Sequence, residues 1–431
     1  MLEEIKEMLR PSEEERKKAY KIINEFINLL QTNLKDADVF LGGSFGKDTW
    51  LPGDSDVDLF VRFDKKYRGQ RISDLLEEAL KKINVSYIRL HGSRDYFKVK
   101  YKGYEFEIVP ILKIDNPKEY EVITDVSPFH VLYVKKKLDE KPELKDEIRL
   151  LKAFMKTIGV YGAESYIQGF SGYVCELLII YYRSFLNLLK EALNWKPKVV
   201  IDIEKHYKNE KEIFKKLNKH KLKSPLIIID PVDPERNAAA SLSYQTFSKF
   251  LLNVYFFLKD LEEKKDIKKW FSRIKKKKED LIKKKEKLKV PMILFEVRGK
   301  GNNKDVVNTK ILKFKEFLEK QLEIYGFKVL DSEIIFQEDV NSKGYIALYY
   351  YPKELPEYTL HEGPLPWIHP HFERFVEKWK EYEIKVRSDG KLIAIIPRKI
   401  RNIKELWEYL KDKYKSSIED KVEVLNVEFY D

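Results

Sequence analysis

Cysteine is all but missing from this chain. Cys175 stands alone among 431 residues, which excludes an internal disulfide and fits a reducing, cytoplasmic setting. It lies in the apolar helical run Tyr173–Tyr181, which makes it a packing residue before a nucleophile. Long apolar stretches are missing as well: no run reaches the ~18 residues of a transmembrane helix, so no membrane span is expected. The opening MLEEIKEMLRPSEEERKKAY is charged and amphipathic and lacks the apolar core of a signal peptide. Histidine is scarce, at 7 residues. His361, His369 and His371 lie near one another, but without a cysteine partner or HExxH spacing they read as proline-flanked surface histidines, not as a zinc centre.

What is present points to a polyanion partner. The formal net charge is +12 and the pI about 9.1, which favours nucleic acid first. A Lys- and Glu-rich composition adapted to heat is the competing explanation and carries no partner. A hydrophobic share of 43% with 13% aromatics suffices for packed cores, and this length suits two to four domains.

The chain is organised around Gly42–Phe63, GGSFGKDTWLPGDSDVDLFVRF. Val39-Phe40-Leu41 leads into a Gly42-Gly43-Ser44 turn too glycine-rich to continue a strand. After Pro52-Gly53, the alternation from Asp56 to Val61 has period two and predicts a strand. Asp56 and Asp58 then share one face, with Cα atoms roughly 6.5–7 Å apart. Carboxylates so spaced can flank two divalent ions about 3.5–4 Å apart, and hard oxygen ligands favour Mg2+ over zinc. The backbone N–H groups of the glycine-serine turn can hold a triphosphate against those ions. An edge strand with a wet acidic face is the bland alternative. Further on, Tyr104–Ile111 alternates so that Glu105 and Glu107 share a face. Glu107 is the candidate third carboxylate and Glu105 its competitor.

Around this stretch the pattern predicts helices over 12–34, 72–82 and 143–157, and strands at Tyr87–Leu90 and Tyr96–Tyr101. DVSPFH at Asp125–His130 reads as a loop. A long apolar helix is expected over 172–187, extended segments at 196–200 and 226–229, and a helix from about Asn237 with Arg236 at its entrance. Residues 264–289 read as one lysine-rich amphipathic helix carrying Trp270, Phe271, Ile274, Leu281, Ile282 and Leu288. Beyond Pro291 the texture is α+β, with strands at 292–297, 327–337, 344–351, 383–387, 391–397 and 422–429, and helices at 310–325 and 403–414. Basic and aromatic surfaces on such units suit RNA.

Several separated segments together carry a resemblance. GGSFGKDTWLPGDSDVDLF, EIVP, SPFH, LLKAFMKTIGVYGAE, GFSGYVCELLI, DPVDPERNAAA and LHEGPLPW resemble the archaeal-type (class I) CCA-adding enzymes, tRNA nucleotidyltransferases of the nucleotidyltransferase superfamily. The resemblance implies an α+β multidomain fold. A nucleotidyltransferase (polymerase-β-like) catalytic head would occupy 1–140 and a helical neck 141–260. A basic linking helix would follow over 261–290, then an α+β body and tail over 291–431 that binds tRNA. It also implies template-independent addition of CCA to tRNA from CTP and ATP with two Mg2+ ions, in a homodimer. Carried over residue by residue, Asp56, Asp58 and Glu107 match the metal-binding carboxylates. Gly43 and Ser44 lie in the phosphate-binding turn, and Lys47 just after it matches a further triphosphate contact. His130, Lys152 and Tyr161 match nucleotide contacts, and Arg236 an arginine that reads the incoming base. Two positions depart from the usual pattern: Glu107 stands where aspartate is commoner, and Lys47 where arginine is, turning a bidentate grip into a point charge. The competing readings are a poly(A) polymerase-like terminal nucleotidyltransferase and a non-catalytic RNA-binding protein.

Overall fold

Strand alternation at Asp56–Phe63 produces what its period demands. In the computed structural model this strand buries Val57, Leu59, Val61 and Phe63 on one face and turns Asp56 and Asp58 to the other. The structure describes residues 1–272, 275–337 and 343–431, and divides into two units, Met1–Ile274 and Lys275–Asp431.

The first unit opens with helices α1 (Leu2–Leu9) and α2 (Glu13–Gln31) and a five-stranded sheet. Its strands are β1 (Ala37–Leu41), β2 (Asp56–Phe63), β3 (Tyr87–Leu90), β4 (Tyr96–Tyr101) and β5 (Tyr104–Leu112), in the order β1-β2-β5-β4-β3. Only β2 and β5 run parallel; the other pairs are antiparallel. Helix α2 starts where Ser12 accepts from the Glu15 amide and Glu15 accepts in return from the Ser12 amide, a reciprocal cap. Its buried stripe of Ala19, Ile23, Phe26 and Leu30 covers the sheet, with Phe26 stacked on Phe106 at 4.3 Å. Truncating a buried phenylalanine of this kind costs roughly 3–5 kcal/mol. The short helix α3 (Gly43–Lys47) links β1 to the turn before β2, and α4 (Ile72–Lys82) lies between β2 and β3 in the chain.

Helices α5 (Ser127–Glu140), α6 (Leu144–Thr157), α7 (Gly172–Tyr182) and α8 (Phe185–Ala192) build a second core. They are joined by the small α9 (Glu210–Lys216), by α10 (Tyr244–Glu262), and by the parallel strand pair β6 (Val199–Asp202) and β7 (Leu226–Ile229). Phe154, Phe185 and Phe257 meet edge to face at its centre.

Three expectations need correction here. Asp125–His130 is not a loop: a 3-10 turn at Ile123–Val126 runs straight into α5, with Pro128 in the first turn, where a missing N–H costs nothing. The helix expected over 172–187 breaks at Arg183, which takes φ 70° and ends α7, and Ser184 caps α8. The helix expected from Asn237 begins only at Tyr244, capped by Ser243, because the Asn237 side chain accepts from the Ile228 and Ala239 amides and holds a turn.

The lysine-rich stretch is also not one helix. A 3-10 turn at Lys268–Trp270 places Trp270 and Phe271 against the first unit's helical core, while Ile274 lies outside the described residues. The second unit has its own helix, α11 (Lys278–Leu288), whose Leu281 packs with Met292, Leu294 and Tyr349. Its sheet of β8 (Met292–Gly299), β9 (Lys328–Phe336), β10 (Lys343–Tyr351) and β14 (Val422–Tyr430) is antiparallel in the order β14-β8-β10-β9. Helices α12 (Lys304–Tyr325) and α14 (Ile403–Lys413) supply Ile311, Phe314 and Trp407 to the core on this sheet. A three-stranded sheet, β11 (Tyr358–Glu362), β13 (Leu392–Pro397) and β12 (Glu383–Val386), carries α13 (His371–Trp379) on Phe375. Strand β11 and helix α13 escape the sequence pattern because both are short and lie in a stretch broken by Pro356, Pro364, Pro366 and Pro370. Among the described residues no helix is long and apolar enough to cross a membrane.

Candidate active site

Glycine at 43 is a steric requirement. It takes φ +56°, and a Cβ there would lie 1.7 Å from Asp58 Oδ2. The Gly42 amide donates to the Asp58 carbonyl at 2.8 Å, so the turn that ends β1 is sewn to the acidic strand. Behind it, buried Arg149 of α6 donates to the Asp48 and Trp50 carbonyls at 2.7 and 3.0 Å and pairs with Asp146 at 2.7 Å. The segment after α3 is thereby fixed to the helical core.

The β2–β5 register sets Asp56 beside Glu105 and Asp58 beside Glu107, and Lys98 of β4 stands next to Glu107 in turn. Lys98 pairs with Glu105 at 2.8 Å and more loosely with Glu107 at 3.7 Å. Three carboxyls on this face are held above the ordinary carboxylate range. Burial raises Asp58 first, with the Asp56 charge adding to it and Lys47 opposing. Burial and Glu105 raise Asp56, and burial and Asp58 raise Glu107. Among the described residues no three histidine, cysteine or carboxylate side chains are drawn together closely enough to hold a metal ion. Side-by-side carboxylates that hinder one another's ionisation nevertheless suit a divalent cation, which relieves that repulsion.

A cavity of about 310 Å³ opens on this face. Gly43, Ser44, Lys47, Asp56, Asp58, Lys152 and Tyr161 all line it. The structure thus brings seven of the ten sequence-predicted residues together. Glu107 stands next to Asp58 in the sheet without lining the cavity. His130 and Arg236 form a separate cluster around buried Asp230. His130 Nε2 lies 2.9 Å and Arg236 Nη1 2.8 Å from Asp230 Oδ2, and these two nitrogens are 3.1 Å apart. Tyr173 joins the two groups: it lines the cavity, donates its hydroxyl to Asp230 Oδ1 at 3.1 Å, and lies with its ring centroid 4.6 Å from that of His130. Burial pushes Asp230 up, but the His130 hydrogen bond and the Arg236 charge outweigh it and leave its carboxyl below the ordinary range.

Three family models match successive parts of the chain. Residues 23–130 match the nucleotidyltransferase domain, 146–268 the second domain of tRNA nucleotidyltransferase, and 291–427 the C-terminal domain of the CCA-adding enzyme. A CCA-adding enzyme of Nanoarchaeum equitans is 42% identical over 403 residues, covering 93% of this chain and 95% of the relative. The chain belongs to the CCA-adding enzyme family. A member from Methanocaldococcus jannaschii is 33% identical over 424 residues, 95% of this chain and 89% of the relative. The Cid1 poly(U) polymerase, solved with magnesium and 3′-dATP, aligns with TM-score 0.52 over 63% of this chain and 98% of its own. At 15% identity it speaks to the fold alone, that of a nucleotidyltransferase. Enzymes of that superfamily generally use divalent metals. The poly(A) polymerase-like and non-catalytic readings are not favoured by these matches.

Sequence reasoning passed over Asp54, Lys156, Tyr173 and Glu176, all of which line the cavity, and Asp230, which Tyr173 joins to it. Two of these carry a signal in the sequence. Glu176 is the one charge inside the apolar helix GYVCELLIIYY, and Asp230 follows directly on the apolar LIII of β7. Glu176 Oε2 accepts from Lys47 at 2.6 Å, and Oε1 accepts from Lys152 and the Thr49 hydroxyl, each at 2.9 Å. Lys47 is therefore 8% exposed and already paired, not a free cation at the mouth. Cys175, immediately before Glu176, is buried against Met155 with its thiol pushed up to about 12, in keeping with a packing role.

Proposed function

We propose that this chain adds the 3′-terminal CCA to tRNA from CTP and ATP without a nucleic-acid template. The observation that carries the reading is the pair Asp56 and Asp58 of β2, with Glu107 of β5 beside them in the sheet, at a cavity also lined by the glycine-serine turn and by Lys47, Lys152 and Lys156. In the reaction, the 3′-terminal hydroxyl of tRNA attacks the α-phosphorus of the nucleotide. The new P–O bond forms as the bond to the β-phosphate breaks, and pyrophosphate leaves. Asp56, Asp58 and Glu107 would hold two magnesium ions, whose chemistry is to lower the pKa of the attacking hydroxyl and to neutralise charge on the leaving group.

Ser44, the Gly43 amide, Lys47, Lys152 and Tyr161 hold the triphosphate in this reading. Burial raises the Tyr161 phenol well above its ordinary value, so it stays a neutral hydrogen-bond donor. Arg236, 35% exposed beside its Asp230 anchor, reads the base edge together with His130. The division into head (1–140), neck (141–260), basic segment (261–290) and tRNA-binding body and tail (291–431) belongs to the same proposal, as do a cytoplasmic setting and a homodimer. Sedimentation at micromolar protein tests the last of these.

Primer extension tests the whole. Purified protein with magnesium, α-labelled CTP and ATP, and tRNA ending at its discriminator base is expected to add two C and one A. Long A tails would move the chain to poly(A) synthesis. C addition that stops before A would mean a partner enzyme completes the end.

A further inference from the structure

Helix α7 places one carboxylate among wholly buried apolar neighbours, Val174, Cys175 and Leu177–Ile180. Glu176 itself is 0% exposed. A buried ion pair is often no more stabilising than apolar side chains filling the same space, so stability alone does not account for a glutamate here. Its contacts are distributed in an informative way. One oxygen takes Lys47, at the end of α3 on the sheet side of the cavity; the other takes Lys152, from α6 on the helical side. Thr49 closes the ring, since its hydroxyl lies 2.9 Å from Glu176 and 2.8 Å from Lys152 Nζ. Burial pushes the Glu176 carboxyl up, but Lys152 and Lys47 outweigh it and hold it below the ordinary range, ionised. Two flexible ammonium side chains that would repel each other are thus fixed on one wall of the cavity that also holds Ser44 and Asp58. One carboxylate against two lysines leaves this trio with a single positive charge.

We propose that Glu176 is a positioning residue for the nucleotide triphosphate, clamping Lys47 and Lys152 into one fixed pair that meets the phosphates of CTP and ATP alike. The inference rests on the CCA-adding reading above. Glu176 touches no group that could read a base, so its loss acts on both nucleotides equally. A wall that worked by charge alone predicts the opposite sign, because removing the carboxylate makes the wall more positive and would tighten triphosphate binding.

The test is Glu176→Gln, which keeps the shape and removes the charge. KM for CTP and for ATP should each rise about tenfold, the scale of one charged hydrogen bond. Affinity for inorganic tripolyphosphate, measured by calorimetry without tRNA, should fall by the same factor, and KM for tRNA should not move. Glu176→Asp should recover part of both. Tripolyphosphate affinity that is unchanged or tighter in Glu176→Gln overturns the clamp, as does an activity loss that only tracks a melted fraction with KM intact. If Glu176→Gln does not fold, Thr49→Val decides: about a threefold loss in the same two quantities is expected, and no change overturns the proposal. Wild-type protein that binds tripolyphosphate but adds neither C nor A would remove the functional reading and leave the clamp to be judged by calorimetry.

Discussion

Five of the carboxylates in and beside the cavity fall into two kinds. Asp56, Asp58 and Glu107 stand beside one another on adjacent strands, and each is held above the ordinary carboxylate range by burial and by a neighbouring acid. Glu176 and Asp230 lie deeper still, yet both are held below it, because lysines surround one and His130 and Arg236 the other. The difference separates two tasks. Where the chain's own cations outweigh burial, the carboxylate orients them; where burial and neighbouring acids outweigh Lys98 and Lys47, the row keeps a charge that a cation from outside would answer. The two orienting sites differ in kind as well. Glu176 holds ammonium groups, which act as point charges suited to phosphate, whereas Asp230 holds a planar guanidinium and an imidazole, whose donors have direction and suit a base edge.

The most severe break of this comparison is Asp58→Ala. If the strand carboxylates supply the charge an external cation needs, single-nucleotide addition should fall at least about a thousandfold, several kcal/mol of transition-state stabilisation. Thermal melting of the variant should still show a folded protein. Retention of a tenth of the activity would mean that Asp58 belongs with the structural carboxylates after all.

Asp230→Asn addresses the other kind. It keeps the size of the side chain and the Val232 amide contact but releases the charge that pins Arg236 and His130. The ratio of kcat/KM for CTP over ATP, on a tRNA poised for C, should fall about tenfold, while tripolyphosphate affinity holds. Equal losses for both nucleotides would collapse the distinction between the two buried carboxylates. A gentler change is Glu107→Asp, which restores the shorter acid usual at that position. The charge is kept, so kcat should shift by no more than about threefold, against a loss of about a hundredfold or more for Glu107→Gln.

How much of this was legible in the sequence follows the same line. Period-two alternation exposed Asp56 and Asp58 because a strand with one wet face writes its chemistry into every second residue. Local pattern also placed α2, α4, α6 and the strands of the sheet to within a few residues. Lys47, Lys152, Tyr161, His130 and Arg236 were reached by resemblance, since nothing in their immediate neighbourhood distinguishes them. Glu176 and Asp230 escaped both routes. Lys47 and Lys152 lie 129 and 24 positions from Glu176, and His130 and Arg236 lie 100 and 6 from Asp230, so the charge balance that defines them exists only in three dimensions. The lysine-rich stretch misled for a related reason. Its helical spacing was real on paper, but Trp270 and Leu281 pack into separate cores, and no single helix serves both.

The smallest effect sharpens the comparison without any substrate. Asp58 has a raised pKa in the fold, so the folded state holds its proton more tightly than the unfolded chain does. Its contribution to stability is present below the ordinary value of 3.8 and is lost as pH rises through the raised folded value. At neutral pH without divalent ions, Asp58→Asn should therefore melt about 2 °C higher than wild type, and the gain should vanish near pH ~4. Glu176 has the opposite sign. Its pairing stabilises above the ordinary 4.5 and is lost only as pH falls through its lowered folded value, so Glu176→Gln should melt lower at neutral pH. Adding magnesium should raise the melting temperature of wild type and of Glu176→Gln but not of Asp58→Asn, because only the first two keep the full acidic row. If Asp58→Asn melts lower than wild type at neutral pH in the absence of divalent ions, Asp58 is stabilised by its surroundings, and the acidic row has no unmet charge to offer a metal.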